Sequence, residues 1–334
     1  MAKKTIQDLA DAVGVSRITI WKALSNRPGV SDAMRQAIRE KARELGFPPA
    51  AAESCLTFSV VVSRPDSSAF WMQIIHHIAK ELTLHHVNLM YTYMPSAYAP
   101  GYALPDSLRA VDGLIVLNIY DETLLRMLAA LSMPKVFLDT VPSLSPAQLN
   151  GDLVILDGCT TIRQITLRLL KSGRTRLGFV GDVNYAQTNT ERYRGFLEAH
   201  QLLGLTADER LSMTGPISLS HHYEEISRFL DSLPHLPDGF VCPSDFIAHF
   251  IRRYLTETGR ETPAGFALTG FDNNSEYTNV ADAITTVDVD TSALGKRLAC
   301  KLLFRAQHPG MPDEVSYVST EVLYRGVLGG ILGG

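Results

Sequence analysis

The residues best suited to chemistry are acids and a guanidinium placed where short apolar runs stop. Asp139 ends KVFLD (135–139), Asp272 ends FALTGFD (266–272), Asp245 follows GFVCPS (239–244), and Arg192 lies beyond RLGFVG (176–181). Phe70 and Trp71 stand a few residues past FSVVVS (58–63). A carboxylate accepts two aligned hydrogen bonds and a guanidinium donates two, which suits the adjacent hydroxyls of a sugar ring. Nothing here activates a nucleophile. A dinucleotide site needs GxGxxG, and Gly178 to Gly181 offers two glycines at the wrong spacing. GxSxG, GxxxxGK[ST] and HExxH are all missing from the sequence. The doublets His76-His77, His85-His86 and His221-His222 do not suit a metal, because adjacent helical residues point about 100° apart. No enzyme, resident metal or cofactor is expected.

Positioning those groups requires repeated βαβ units. Strands are expected at 58–63, 87–93, 113–119, 135–139, 153–157, 176–181, 210–214, 239–244 and 266–272, with amphipathic helices such as 70–85, 160–173 and 190–204 between them. That is too many strands for one small sheet. Two doubly wound parallel lobes, split near residue 150 and linked by late crossovers, accommodate them across 58–330. Ligands of open α/β sheets bind beyond the carboxyl ends of strands, so candidates for a pocket fall at 66–71, 118–121, 139, 184–192, 244–246 and 272.

The 334 residues carry a net charge of −4, which taken alone argues against a nucleic-acid partner. The average conceals two regions. Residues 1–49 hold nine Lys/Arg against five acids, a net of +4, so the remainder carries −8. Within that basic head, Ile6, Leu9, Ala10 and Val13 form one helical stripe with Thr5 as N-cap, and Gly14 suits a tight turn. Ser16 caps a second helix whose inward face is Ile20, Ala23 and Leu24. A third runs from Ser31 to a stop at Gly46 and Pro48-Pro49. Two short helices about a Gly-containing turn form a helix-turn-helix.

The string TIQDLADAVGVSRITIWKALSNRPGVSDAMRQAIREKARELGF (5–47) closely resembles the DNA-binding headpiece of the LacI/GalR family of transcriptional regulators. The resemblance implies that the second helix enters the major groove with Arg17, Ile18 and Lys22 facing base edges. Arg17 and Lys22 suit guanine O6 and N7, and Ile18 suits a thymine methyl. Ser16, Thr19, Asn26 and Ser31 would hold phosphates. Thr5 and Trp21 complete the expected DNA-binding set, Trp21 standing where the family usually has a small residue.

The next segment, FPPAAAESCLTFSVVV (47–62), keeps the Phe47, Pro49 and Leu56 of the family's hinge but has Ala50 at its Asn position and Glu53 at an Ala position. Residues 50–57 are therefore read as a shortened hinge. Leu56 is either a minor-groove wedge, which costs unstacking energy, or the first residue of a strand.

The body is similar to the family's effector-binding part, through MPKVFLDT (133–140), LLKSGRTRLGFVGD (169–182), TERYRGFLEA (190–199), GFVCPSDFIA (239–248) and 266–290. That likeness implies the fold of periplasmic sugar-binding proteins, with Asp139, Arg192, Asp245 and Asp272 at or beside the effector and Phe70 and Trp71 able to stack on it. The expected function is a ligand-responsive repressor, homodimeric on a pseudo-palindromic operator, with a sugar or sugar derivative between its lobes. A purine or nucleoside effector is the alternative, since purines favour aromatic sandwiching; a sensor that binds no DNA is a further one. No apolar run is long enough for a membrane span and the N-terminus lacks an export-signal pattern, so a cytoplasmic location is expected. The scattered Cys55, Cys159, Cys242 and Cys300 read as buried thiols.

Overall fold

The computed structural model describes residues 5–24, 29–47, 56–65, 68–308 and 310–330. Three helices open it: α1 (Ile6–Val13), α2 (Arg17–Leu24) and α3 (Asp32–Glu44). Their starts follow the expected caps. Thr5 and Asp8 form a reciprocal capping box, Ser16 Oγ accepts from Thr19 N, and Ser31 Oγ accepts from Met34 N. Gly14 has φ +74°, a conformation costly to other residues, and turns α1 into α2. Leu9, Ala10, Ile20, Ala23, Ile38 and Ala42 form the small core that holds the three helices.

The body contains two parallel sheets. The larger has six strands in the order β10-β5-β4-β3-β1-β2, with β1 at Thr57–Ser63, β2 at Asn88–Met94, β3 at Gly113–Leu117, β4 at Lys135–Leu138, β5 at Asp152–Leu156 and β10 at Val315–Val318. The smaller is β6-β7-β8, formed by Leu177–Phe179, Gly239–Val241 and Ala267–Thr269. An antiparallel pair, β9 (Thr286–Asp288) with β11 (Glu321–Leu323), is joined to the extension of β8 by the bridges Thr269 to Thr285 and Asp272 to Asp288.

Burial on both faces explains the apolar runs. Along β3, Leu114 and Val116 join one core while Ile115 and Leu117 join the other. The second of these includes Ile74 and Ile78 of α4 (Ala69–Leu84) and Leu298 and Leu302 of α10 (Thr291–Gln307). Two more helices matter to the site: α7 (Gln187–Leu202) and α9 (Asp245–Thr258).

The structure corrects several expectations. The larger sheet runs past residue 150, and the chain leaves it after Leu156. It returns after β9 and crosses again between β10 and β11. Residues 210–214 are no strand: a 3-10 turn at Glu209–Leu211 is followed by one bridge from Met213 to Val180. Met213 still pairs with the end of β6, its N–H donating to Phe179 O and its carbonyl accepting from Gly181 N, both at 2.8 Å, while Gly178 leaves room for the Leu211 carbonyl, 1.9 Å from where a Cβ would lie. Of the cysteines, Cys159 and Cys242 are buried, Cys300 is half-buried, and Cys55 lies outside the described residues. No helix among the described residues is long and apolar enough to cross a membrane.

Candidate effector cleft and DNA-reading helix

A cleft of about 200 Å³ lies between the two sheets at their carboxyl ends. Phe70, Trp71, Asp139, Arg192 and Asp272 line it together, from four separate segments. Asp245 does not. Its carboxylate is directed behind the wall, accepting from Thr286 Oγ1 at 2.7 Å and from Asn274 N at 2.8 Å. It thereby fixes the loop that follows Asp272. Gly270 makes room for this acid, as a Cβ there would lie 2.0 Å from Asp245 Oδ1.

Arg192 is the cleft's central cation. It projects from α7, donates through Nη1 to Pro243 O at 2.5 Å, and lies 3.6 Å over the Phe271 ring. Gly158 admits it, because a Cβ there would meet Arg192 Cγ at 2.5 Å. Its Nε is buried and has no hydrogen-bond acceptor among the described residues. Burial weakens its hold on its proton, and Asp272 and Asp139 oppose that.

The two flanking acids differ. Asp139, at φ +68°, accepts from Thr188 Oγ1 at 2.5 Å and from Thr140 N at 2.8 Å. Burial raises its pKa, and these hydrogen bonds and Arg192 pull it back. Asp272 lacks that support: burial pushes it up to about 7, with Arg192 lowering and Asp245 raising it. Near neutral pH Asp272 is thus split between acid and carboxylate, whereas Asp245 stands at about 6, again through burial.

Aromatic walls surround these groups. Phe70 and Trp71 meet edge to face at 5.2 Å, and Tyr120 of the first lobe lies 4.6 Å from Tyr185 of the second. The lobes are also linked by Thr188 to Asp139 on one side and by Asn274 Nδ2 to Ser68 Oγ at 2.8 Å on the other. Arg64, His222 and Tyr277 line the cleft although sequence reasoning did not single them out. Arg64 directly follows β1, so the strand-end rule reaches it. His222 starts a helix after the irregular stretch wrongly read as a strand, and its mate His221 is exposed. His85 instead meets Glu81 and Cys300 where α4 packs on α10, with Lys296 4.0 Å from the same glutamate.

At the headpiece, Ser16, Arg17, Thr19, Trp21 and Lys22 are partly exposed, Thr5 and Ser31 fully so, and Asn26 lies outside the described residues. Two residues expected at base edges instead face the body. Arg17 Nε lies 2.7 Å from Asp112 Oδ1, and Ile18 is 3% exposed within the body's main apolar cluster. Of the two readings of Leu56, wedge or start of a strand, its place in the fold fits the second. It is 4% exposed in that cluster, and its carbonyl accepts from Asn88 N at 2.7 Å, which makes it a lead-in to β1.

Residues 5–50 match the bacterial regulatory proteins of the lacI family, and residues 166–326 match the periplasmic binding protein-like domain. The HTH-type transcriptional repressor PurR of Mannheimia succiniciproducens is 23% identical over 96% of this chain and 97% of its own length. Among solved structures, a CelR–cellobiose complex superposes with TM-score 0.67 at 22% identity, covering 96% of this chain and 99% of that one. The lac repressor dimer bound to operator and the anti-inducer ONPF superposes with TM-score 0.66 at 18% identity, covering 98% and 99%. With a helix-turn-helix head on a two-lobed, cleft-bearing α/β body, the chain belongs to the lacI family of bacterial regulatory proteins: it is a DNA-binding transcriptional regulator and not an enzyme.

Proposed function

We propose that the protein is a homodimeric repressor whose paired headpieces bind a pseudo-palindromic operator and whose cleft takes a small sugar or sugar derivative. The observation that carries the effector assignment is the Arg192–Asp272 pair, a bidentate donor with an unused buried N–H beside a carboxylate that lacks fixed donors. A ring bearing adjacent hydroxyls satisfies both groups at once. Cellobiose, the ligand of the CelR complex whose fold this chain shares, is such a molecule. The rings of Phe70, Trp71, Tyr120, Tyr185 and Tyr277 favour a second reading, a purine or nucleoside held between aromatic faces.

For DNA, the proposed roles are Arg17 and Lys22 at guanines, Ile18 at a thymine methyl, and Ser16, Thr19, Asn26 and Ser31 at phosphates, with Thr5 and Trp21 beside them. Ser16 and Ser31 already stand at helix starts, where backbone N–H groups attract anions. Closure of the lobes on the ligand alters DNA affinity through differential binding to two arrangements. Thermal-shift screening with sugars, sugar phosphates, nucleosides and purines tests the effector class, because a ligand bound only to the folded state raises the melting point. A shift with purines and none with sugars replaces the first reading by the second.

A further inference from the structure

The groups that meet α2 on the body have the chemistry of a base edge. Asp112 sets Oδ1 2.7 Å from Arg17 Nε as an ion pair, occupying the cation that would otherwise reach a guanine, and the cluster containing Leu56, Phe58 and Leu302 takes Ile18 as a thymine methyl would. α2 lies directly against α10. Asp112 is well placed to hold it. Its other oxygen accepts from Thr57 N at 3.0 Å and its own N–H donates to Thr57 O at 2.7 Å, so it is locked to the start of β1. Its side chain is 7% exposed, and burial raises its pKa against the pull of Thr57 and Arg17. The headpiece's own core uses Ile20 and Ala23 on the other side of α2, so Ile18 is free for this second contact.

We infer that the body surface formed by Asp112 and α10 is a docking site for the chain's own DNA-reading helix, and that docking competes with DNA. The inference rests on the reading of α2 as the element that enters the major groove. The Arg17 guanidinium cannot lie against Asp112 as an ion pair and reach a base together, and a buried Ile18 reaches no base step. Apparent DNA affinity is therefore the intrinsic affinity reduced by the undocked fraction. The opposite charges of head and body favour the docked form. Asp112 is the handle that separates the two states, because it belongs to docking alone.

The test uses the full chain with two variants. Asp112→Asn removes the charge that holds Arg17 while its amide oxygen still accepts from Thr57, and Ile18→Ala removes the apolar half without touching the body's own fold. Hydrogen exchange of the amides of residues 17–24, measured without DNA, is expected to speed up on the order of tenfold in either variant. For Asp112→Asn, affinity for a duplex selected from a random pool, at one fixed salt concentration, rises by about the same factor. Unchanged exchange in both variants overturns the docking, whatever DNA does. Faster exchange in Asp112→Asn with wild-type DNA affinity overturns the competition. If exchange speeds up but no form of the chain binds duplex DNA, the docking surface stands and the DNA-reading assignment falls.

Discussion

The cleft and the headpiece hold their functional groups in opposite ways. In the cleft, Arg192 and Asp139 are fixed by buried partners on the protein itself, through Pro243, Phe271, Thr188 and Thr140, and both still border open space. In the headpiece, Arg17 and Ile18 are also held, but against the body, which buries Ile18 and occupies Arg17 Nε with Asp112. The difference teaches that burial has two meanings. In the cleft it prepares groups for a ligand that enters; at α2 it withholds them from a ligand that must displace the body.

The largest effect is expected in the cleft. Arg192→Ala removes the cation that interacts with both Asp139 and Asp272 and is expected to weaken effector binding by about 100-fold, read by calorimetry, since hydrogen bonds to charged groups are worth about 1.5–3 kcal/mol each. An unchanged affinity would show that the preparation of the cleft serves packing alone.

Next comes the reader. Arg17→Ala is expected to cost about 1–3 kcal/mol of discrimination at one base step, measured as the ratio of selected to altered duplex affinities. Equal weakening on all sequences would move Arg17 to a phosphate-holding role. Because the same change also frees the headpiece, comparison with Asp112→Asn separates the two contributions.

A smaller effect concerns acidity. Asp272 stands at about 7, and a ligand hydroxyl that donates to its carboxylate favours the ionised form. Ligand binding then lowers that pKa, so affinity falls by up to about tenfold per pH unit below 7 and levels off above it. Titration at pH 6, 7 and 8 checks the sign. In the ligand-free fold the same raised pKa makes stability decline as pH rises from about 4 to about 7, because the unfolded chain ionises first. Asp272→Asn is therefore expected to raise the melting temperature at neutral pH while weakening the effector. Smallest of all, Trp71→Ala is expected to cost about 0.5–1.5 kcal/mol of ligand affinity, the range of one aromatic contact; a much larger loss with a purine would favour the nucleoside reading.

Much of this was legible because it is local. The Thr5, Ser16 and Ser31 caps, the Gly14 turn and most strand positions follow from neighbours within a few residues. The strand-end rule reached Asp139 and Asp272 and bracketed Arg192 and Asp245, which the family resemblance then singled out, but neither gives a side-chain direction, so Asp245 was expected at the effector when it supports the wall from behind. The 210–214 stretch looks like a strand by composition, but a 3-10 turn takes its first two residues and leaves Met213 to pair beside Val180. Strands β9, β10 and β11 were missed because they are three or four residues long and draw their partners from the other sheet or from distant positions. The contact of Arg17 with Asp112 joins residues ninety-five positions apart and leaves no periodic trace in either segment.

The proposed function requires that the cleft and the headpiece be coupled. Its most direct test is the affinity of the full chain for its selected duplex, measured at fixed salt with and without a ligand that raises the melting point. The account predicts a change of about fivefold or more in one direction, which Arg192→Ala abolishes. An affinity that stays the same while the ligand demonstrably occupies the cleft would contradict it.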